Sequence, residues 1–195
     1  MKHLYLMRHG ETLFNQRRKI QGWCDSPLTE NGIKQAQAAK NYLKDIPFDH
    51  YYSSTAERCC DKLEIVTDFK VPYVRVKQLK ERYFGIFEGE SEDLNPLISD
   101  DFGYDDLFPH YGGEYTSEVR DRMNQALSNI MEKEDHETVL VVSHGGACLS
   151  FLSGIMDTSI IRKSGGMKNC SILHFTYDNH QFHYVDIIRP QMEHE

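Results

Sequence analysis

The sequence lacks an uninterrupted apolar run long enough to span a bilayer. We also expect no amino-terminal signal peptide, because Met1 and Lys2 lead directly into an apolar segment without a small-residue cleavage site. Cysteine is scarce and unpatterned: the five cysteines are an odd number, with one adjacent pair and no C-x-x-C spacing. Together these absences predict a cytoplasmic protein with reduced thiols and no membrane partner.

Two common catalytic signatures are missing as well. There is no H-E-x-x-H motif and no pair of cysteines at metal-ligand spacing, although the chain has 10 histidines. There is also no G-x-x-x-x-G-K-[ST] loop, and this absence argues against nucleotide hydrolysis of the P-loop kind. We therefore expect neither a metal nor another cofactor.

Positive charge is in deficit, since 22 basic residues face 30 acidic ones and the formal net charge is −8. A negative net charge argues against nucleic acid or an anionic membrane as a general partner. The one basic cluster, Arg17-Arg18-Lys19, is better interpreted as a solvated loop than as a nucleic-acid patch. At 195 residues the chain is long enough for one domain with a substantial core, and we predict a single domain over residues 1–195.

Short apolar segments alternate with amphipathic ones along the chain. The strands predicted from this pattern are 4–7, 50–53, 71–76, 138–143, 171–177 and 182–188. The predicted helices are 29–44, with Thr29 as its cap, 55–67, 114–133 and a further one that ends at residue 155. This alternation predicts an α/β fold with a mostly parallel sheet, helices on both faces and an antiparallel hairpin at one edge.

One long segment, residues 91–113, does not follow the pattern. It is rich in Asp and aromatic residues, contains no Lys or Arg, and has no clear period. Because loops of this length are more often functional than decorative, we predict a lid-like insertion whose acidic charge opposes a second anionic group on the substrate. The alternative is a variable surface loop whose acidic side chains only point to solvent.

Two apolar segments end in the same way. LYLM at 4–7 is followed by Arg8, His9 and Gly10, and VLVVS at 139–143 is followed by His144, Gly145 and Gly146. Ligands of open α/β sheets bind at the carboxyl ends of strands, so the two histidines are expected to meet there if their strands are neighbours. One such histidine is usually incidental, but two beside an arginine make an anion site with a nitrogen nucleophile plausible.

A further cation and a carboxyl group complete the candidate set. Arg58 lies one turn into the helix predicted after the second strand, where an ordinary exposed charge is the alternative interpretation. Glu81 precedes an aromatic and glycine-rich loop, and a desolvated carboxyl group can donate a proton at neutral pH. Glu88 is a rival for the proton-donor role, and a solvated carboxylate is the alternative for both.

In combination these stretches resemble the histidine phosphatase superfamily, the phosphoglycerate mutase-like proteins. The matching text, in the order of the family, is LYLMRHGETLFN, QGWCDSPLTENGIKQA, YYSSTAERCC, LKERYFGIFEG and VVSHGGA. The resemblance implies a three-layer α/β/α sandwich. It also implies roles for residues of this chain: His9 as phosphorylated nucleophile, Glu81 as proton donor, and Arg8, Arg58 and His144 around the phosphate, with Asn15, Gln21, Gly22 and Gly145 as further phosphate-side residues.

The implied activity is hydrolysis of a small phosphorylated metabolite through a phosphohistidine intermediate. His144 is expected to be cationic beside the bound dianion, and the protein to be a possible homodimer. Two alternatives stay open: a phosphoglycerate mutase, and a catalytically silent protein that binds a phosphorylated ligand on the same fold. The chain departs from the family at Lys62-Leu63, where Thr-Ala is frequent, and at Tyr115, where serine is frequent, so no particular substrate is implied.

Overall fold

Six strands form one mixed sheet in the computed structural model, which describes residues 1–95 and 107–191. In chain order they are β1 (Lys2–Arg8), β2 (His50–Ser54), β3 (Val74–Val76), β4 (Thr138–Ser143), β5 (Ile172–Asp178) and β6 (Gln181–Ile188). Across the sheet the order is β3-β2-β4-β1-β5-β6. β3, β2, β4 and β1 are parallel to one another, whereas β5 is antiparallel to both β1 and β6. This confirms the predicted arrangement.

Helices cover both faces of this sheet. They are α1 (Leu13–Gln16), α2 (Glu30–Leu43), α3 (Glu57–Val66), α4 (Thr116–Met131), α5 (Gly145–Ser153) and α6 (Ser159–Lys163). Successive strand side chains point to opposite faces. Leu4 and Leu6 of β1 therefore pack with residues of α4 and α5, while Met7 packs with Ala39 of α2 and Leu63 of α3. The result is the expected three-layer α/β/α sandwich.

The helix after the first loop begins at the predicted cap. The hydroxyl oxygen of Thr29 accepts a hydrogen bond from the backbone N–H of Gly32 at 3.0 Å, which satisfies one of the donors left unpaired at a helix start. Ala36, Ala39 and Leu43 then recur at helical spacing and are buried against the sheet. This holds the start of α2 beside the loop that follows β1.

The connection between β5 and β6 is a two-residue turn. Asn179 and His180 both have positive φ angles, 45° and 61°, and the favoured two-residue hairpin turn requires positive φ at both central positions. Asparagine adopts this conformation more readily than most residues. The predicted hairpin connection is confirmed.

Two predicted ranges differ clearly from the structure, whereas the ends of the other predicted ranges shift by one or two residues. The strand predicted over 71–76 is confined to Val74–Val76, because Pro72 has no N–H to donate to a strand ladder. In the segment 91–113, residues 96–106 lie outside the described ranges, and Glu92–Leu94 and Phe108–Tyr111 form short 3-10 turns. Among the described residues, no helix is both long and apolar enough to cross a membrane.

Candidate active site

The two strand-end histidines come together because β1 and β4 are parallel neighbours. Arg8 is paired with Ser143 in the sheet, and the backbone N–H of His9 donates to the carbonyl of Ser143 at 3.1 Å. The chain therefore leaves both strands at the same edge. The ring centroids of His9 and His144 lie 5.4 Å apart in an edge-to-face arrangement.

His9 is held in one tautomer by the residue that follows it. Its Nδ1 lies 2.7 Å from the carbonyl oxygen of Gly10, and a carbonyl can only accept, so Nδ1 carries the proton. This leaves a lone pair on Nε2. Burial lowers the pKa of His9 well below its ordinary value, and the positive charges of Arg58 and Arg8 lower it further. His9 is thus a neutral imidazole with an unprotonated Nε2, the form that acts as a nucleophile.

Arg58 is fully buried at the start of α3 and connects several parts of the site. Its Nη1 donates to the carbonyl of Cys24 at 2.9 Å and to Asp25 Oδ1 at 2.8 Å. Its Nη2 donates to the carbonyl of Gly22 and to Nδ1 of His144, both at 2.8 Å. Its Nε is buried without a hydrogen-bond partner among the described residues. Arg58 therefore keeps one donor that nothing in the described chain satisfies.

Arg8, like Arg58, has a buried side-chain donor without a partner among the described residues. Its Nη1 donates to the carbonyl of Met167 at 2.6 Å, while its Nε is buried and has no partner within the described ranges. Leaving a buried N–H unsatisfied costs about 1–3 kcal/mol, and more for a charged group. Phosphate oxygens are well suited to satisfy guanidinium donors because their hydrogen bonds are charge-assisted. Arg8 and Arg58 thus both offer unsatisfied donors for an anion.

His144 is a neutral ring in this structure, and the cationic ring expected beside a bound dianion stays a prediction. A guanidinium has no acceptor, so His144 Nδ1 must accept the hydrogen bond of Arg58. Its Nε2 then carries the proton and donates to Ser54 Oγ at 2.8 Å. Burial lowers the pKa of His144 well below its ordinary value, and the charge of Arg58 lowers it further. Arg58 places a permanent positive charge directly beside this ring.

Glu81 is buried beside the turn that joins β4 to α5. Its Oε1 accepts from the backbone N–H of Arg82 at 2.8 Å, and its Oε2 accepts from that of Gly146 at 2.9 Å. A Cβ atom at position 146 would lie 2.6 Å from Glu81 Oε1, so glycine is needed there for the carboxyl group to approach. The backbone of Gly146 therefore positions the Glu81 carboxyl group.

Glu88, the alternative candidate for the proton donor, has a different environment. Its two oxygens accept four backbone N–H groups at 2.9–3.3 Å, those of Gly22, Trp23, Cys24 and Phe84. Arg58 binds carbonyl groups of the same 22–24 segment from the other side. The two side chains together hold this segment in place, so we interpret Glu88 as a positioning residue and Glu81 as the candidate proton donor.

Asn15 and Gln21 differ in how far their amides are already occupied. Asn15 Oδ1 accepts from the backbone N–H of Thr12 and from Asn169 Nδ2, both at 3.2 Å, which directs Asn15 Nδ2 away from these partners. Both ends of the Gln21 amide are used: Oε1 accepts from Thr12 Oγ1 at 2.6 Å, and Nε2 donates to Ser26 Oγ at 3.0 Å. The Gln21 amide is thus bound within the surrounding loop, and a contact of either residue with phosphate stays a prediction.

The two predicted glycines allow close packing around the arginines. A Cβ at Gly145 would lie 3.2 Å from Arg8 Nε, and a Cβ at Gly22 would lie 2.2 Å from the carbonyl oxygen of Arg82. The backbone N–H of Gly22 donates to Glu88. These contacts show why glycine stands at both positions, and a direct contact of either with phosphate stays a prediction.

Sequence reasoning did not single out three residues that hold the site together. Asp25 accepts from Arg58, Ser54 accepts from His144, and Asn169 Nδ2 lies 3.4 Å from the carbonyl oxygen of His9. Asp25 and Ser54 stand within the stretches that match the family, so attention to their polar character would have found them. Asn169 precedes β5 in a loop and carries no comparable signal.

One group of side chains in the described ranges has the composition of a metal site, but it lies elsewhere. Ligand atoms of His50, Asp135 and His136 lie within 4.8 Å of one another. These residues are at the amino ends of β2 and β4, opposite the edge that carries His9. The Asp135 carboxylate is engaged by both rings, at 3.1 Å and 2.8 Å, and the rings stack with centroids 3.6 Å apart. One nitrogen of each ring is therefore already engaged by the Asp135 carboxylate.

The acidic side chains predicted for the lid fall into two groups. Glu92 and Asp93 lie within salt-bridge distance of the exposed Arg18, at 3.6 Å and 3.1 Å. The other four, Asp100, Asp101, Asp105 and Asp106, lie outside the described residues. The prediction of a lid that closes over the pocket therefore stays a prediction.

Comparison with known proteins identifies the family. The family model of the histidine phosphatase superfamily (branch 1) matches residues 4–188, and the chain belongs to this superfamily. A protein of Proteus mirabilis called a probable phosphoglycerate mutase, GpmB, is 32% identical over 189 residues, which are 92% of this chain and 86% of that protein.

Solved structures agree with this assignment. YhfR of Bacillus stearothermophilus has a TM-score of 0.82 and 31% identity, covering 94% of this chain and 95% of its own. A phosphoserine phosphatase of Entamoeba histolytica, solved in complex with 3-phosphoglyceric acid, has a TM-score of 0.81 and 28% identity, covering 96% of each chain. The superfamily contains phosphatases and mutases, so the chain is related to enzymes of both kinds.

Proposed function

We propose that the protein is a phosphatase that hydrolyses a small phosphorylated metabolite through a phosphohistidine at His9. The observation that carries the proposal is the hydrogen bond from His9 Nδ1 to the carbonyl of Gly10, which leaves Nε2 unprotonated. Two buried guanidinium Nε atoms without partners in the described chain, on Arg8 and Arg58, supply the charge that a phosphoryl group needs.

The reaction follows from these groups in two steps. His9 Nε2 attacks phosphorus in line, and the bond to the leaving oxygen breaks as Glu81 donates a proton to that oxygen. Water then attacks the phosphohistidine, with Glu81 accepting its proton, and inorganic phosphate is released. Arg8 and Arg58 neutralise the phosphoryl oxygens in both steps. Neutral His144 contributes a hydrogen-bonded connection between Arg58 and Ser54.

A phosphoglycerate mutase is the second candidate, since a relative covered over most of its length carries that name. A mutase uses the same first step but must keep water from the phosphohistidine and hold a second anionic group. The sequence of residues 91–113 contains no Lys or Arg to bind such a group, which favours hydrolysis.

The test is a panel of phosphorylated metabolites with purified protein in the presence of a chelator. We expect inorganic phosphate to be released from at least one compound, and the His9→Ala variant to lose this activity. The same reactions with 3-phosphoglycerate are analysed for 2-phosphoglycerate. Isomerisation without phosphate release would show a mutase, and the absence of both products on every compound would favour the silent binding protein.

A further inference from the structure

A cavity of about 1200 Å³ lies beside the candidate active site but is lined by other residues. Its walls come from α2, from the loop before β5 and from the segment after β6. Arg8 and Asn169 belong to its wall, whereas His9, Arg58, Glu81 and His144 do not. The cavity is therefore on the side of Arg8 that faces α2, and its volume is sufficient for a small metabolite.

The described lining of this cavity is positively charged. It includes Arg8, Lys34, Lys168 and Arg189, and none of its described residues is Asp or Glu. The whole chain has the opposite balance, with a formal net charge of −8. Four cations without a carboxylate among the described lining residues of a strongly acidic protein indicate a preference for anions.

Buried polar atoms without partners point to the same place. The Ser171 hydroxyl is almost fully buried, and neither its Oγ nor the Nε of Arg189 has a hydrogen-bond partner among the described residues. Both residues line the cavity. The Nη2 of Arg189 donates to Ser164 Oγ at 3.0 Å and to the carbonyl of Gly166 at 3.1 Å, so the side chain is held in position. Unsatisfied buried donors are costly, and an anionic ligand would satisfy them.

A further cation lies directly behind the cavity wall. Lys62 is fully buried in α3, and its Nζ is 2.8 Å from Cys170 Sγ and 3.5 Å from the carbonyl of Gln35. Cys170 and Gln35 both line the cavity. Burial lowers the pKa of Lys62, and no carboxylate among the described residues forms a salt bridge with it. Lys62 also stands where threonine is frequent in the family that the chain resembles.

We propose that this cavity is a second binding site, adjacent to the phosphoryl-transfer site with Arg8 in the wall between them, for a small polyanion with at least two phosphate or carboxylate groups. Lys34 and Lys168 contact the anionic groups at the mouth. Ser171 and Arg189 donate hydrogen bonds further in, and Lys62 adds its charge from behind the wall. The proposal does not depend on the reaction at His9, because binding is its only claim.

The test is isothermal titration calorimetry at low ionic strength, with citrate and inorganic pyrophosphate as probes. We expect wild-type protein to bind at least one probe, and the Lys34→Gln/Lys168→Gln variant to bind it at least tenfold more weakly. Ser171→Ala, which removes the unpartnered hydroxyl without a change of charge, should also weaken binding. The ratio of the two affinities distinguishes a carboxylate ligand from a phosphate ligand.

The matched control is Lys44→Gln/Lys70→Gln, which removes the same charge from exposed lysines that do not line the cavity. It should bind like the wild type apart from a small general effect of charge. The proposal is wrong if wild-type protein binds neither probe, or if the two double variants lose affinity equally. Circular dichroism of each variant confirms that it is folded.

Discussion

At the scale of single residues, the site depends on which nitrogen of each histidine carries a proton. His9 donates through Nδ1 to a carbonyl, whereas His144 accepts through Nδ1 from Arg58, so the two rings have opposite tautomers. The first arrangement leaves Nε2 of His9 available for attack. The second uses Nδ1 of His144 to accept from Arg58 and Nε2 to donate to Ser54. Two residues that look equivalent in the sequence thus have different tasks.

The assignment of Glu81 as proton donor predicts a loss of activity that depends on the leaving group. Glu81→Gln should lower kcat/KM for an alkyl phosphate by about 10²–10⁴, the usual contribution of a general acid. The loss should be much smaller for p-nitrophenyl phosphate, because nitrophenolate leaves without protonation. Steady-state kinetics with both substrates measure the difference.

Glu88→Gln is the matched control for this experiment. It makes the same chemical change in a carboxylate that accepts four backbone N–H groups and holds the 22–24 segment. Any loss should therefore be similar for both leaving groups. If Glu88→Gln shows the leaving-group dependence and Glu81→Gln does not, the two roles must be exchanged.

At the scale of secondary-structure elements, much of the arrangement could be predicted from the sequence. β1 and β4 are continuous apolar runs that end at histidine and glycine, and this pattern locates His9 and His144 at one edge of a parallel sheet. The strand predicted over 71–76 is longer than the observed edge strand, because the apolar run includes Pro72. Apolar character alone does not show how far hydrogen bonding between strands extends.

Contacts between distant elements could not be predicted in the same way. The sequence places Arg58 on a helix but does not show its exposure, and in the structure it is buried against carbonyls of the 22–24 segment. Glu81 and Glu88 stand in one loop, and only the backbone N–H groups around them separate their roles. Such hydrogen bonds link residues far apart in the chain, so no local spacing reveals them.

At the scale of the whole molecule, the buried neutral histidines make stability depend on pH. Burial lowers the pKa of both His9 and His144 in the folded protein, while the unfolded chain titrates near its ordinary value of about 6.5. Below that pH the unfolded state binds more protons, so the free energy of unfolding should fall as pH decreases from 6.5. Each histidine that stays neutral contributes about 1.4 kcal/mol per pH unit.

Urea denaturation between pH 7.5 and 5.5 measures this dependence. The slope of the free energy of unfolding against pH should be smaller in His144→Asn, because one of the two buried histidines has been removed. The comparison uses this slope and not the absolute stability of the variant. A slope unchanged by His144→Asn would show that folding does not lower the pKa of this histidine.

The central claim is that the phosphoryl group passes through His9, and trapping the intermediate tests it most directly. The protein is mixed with a phosphate ester that it hydrolyses, and the reaction is then quenched in alkali, because phosphohistidine is stable in base and is lost in acid. The quenched protein is digested and analysed by mass spectrometry. We predict one phosphoryl group on His9 of the wild type, removed by acid treatment, and none in His9→Ala. A phosphoryl group on another residue, or full turnover by His9→Ala, would contradict the mechanism.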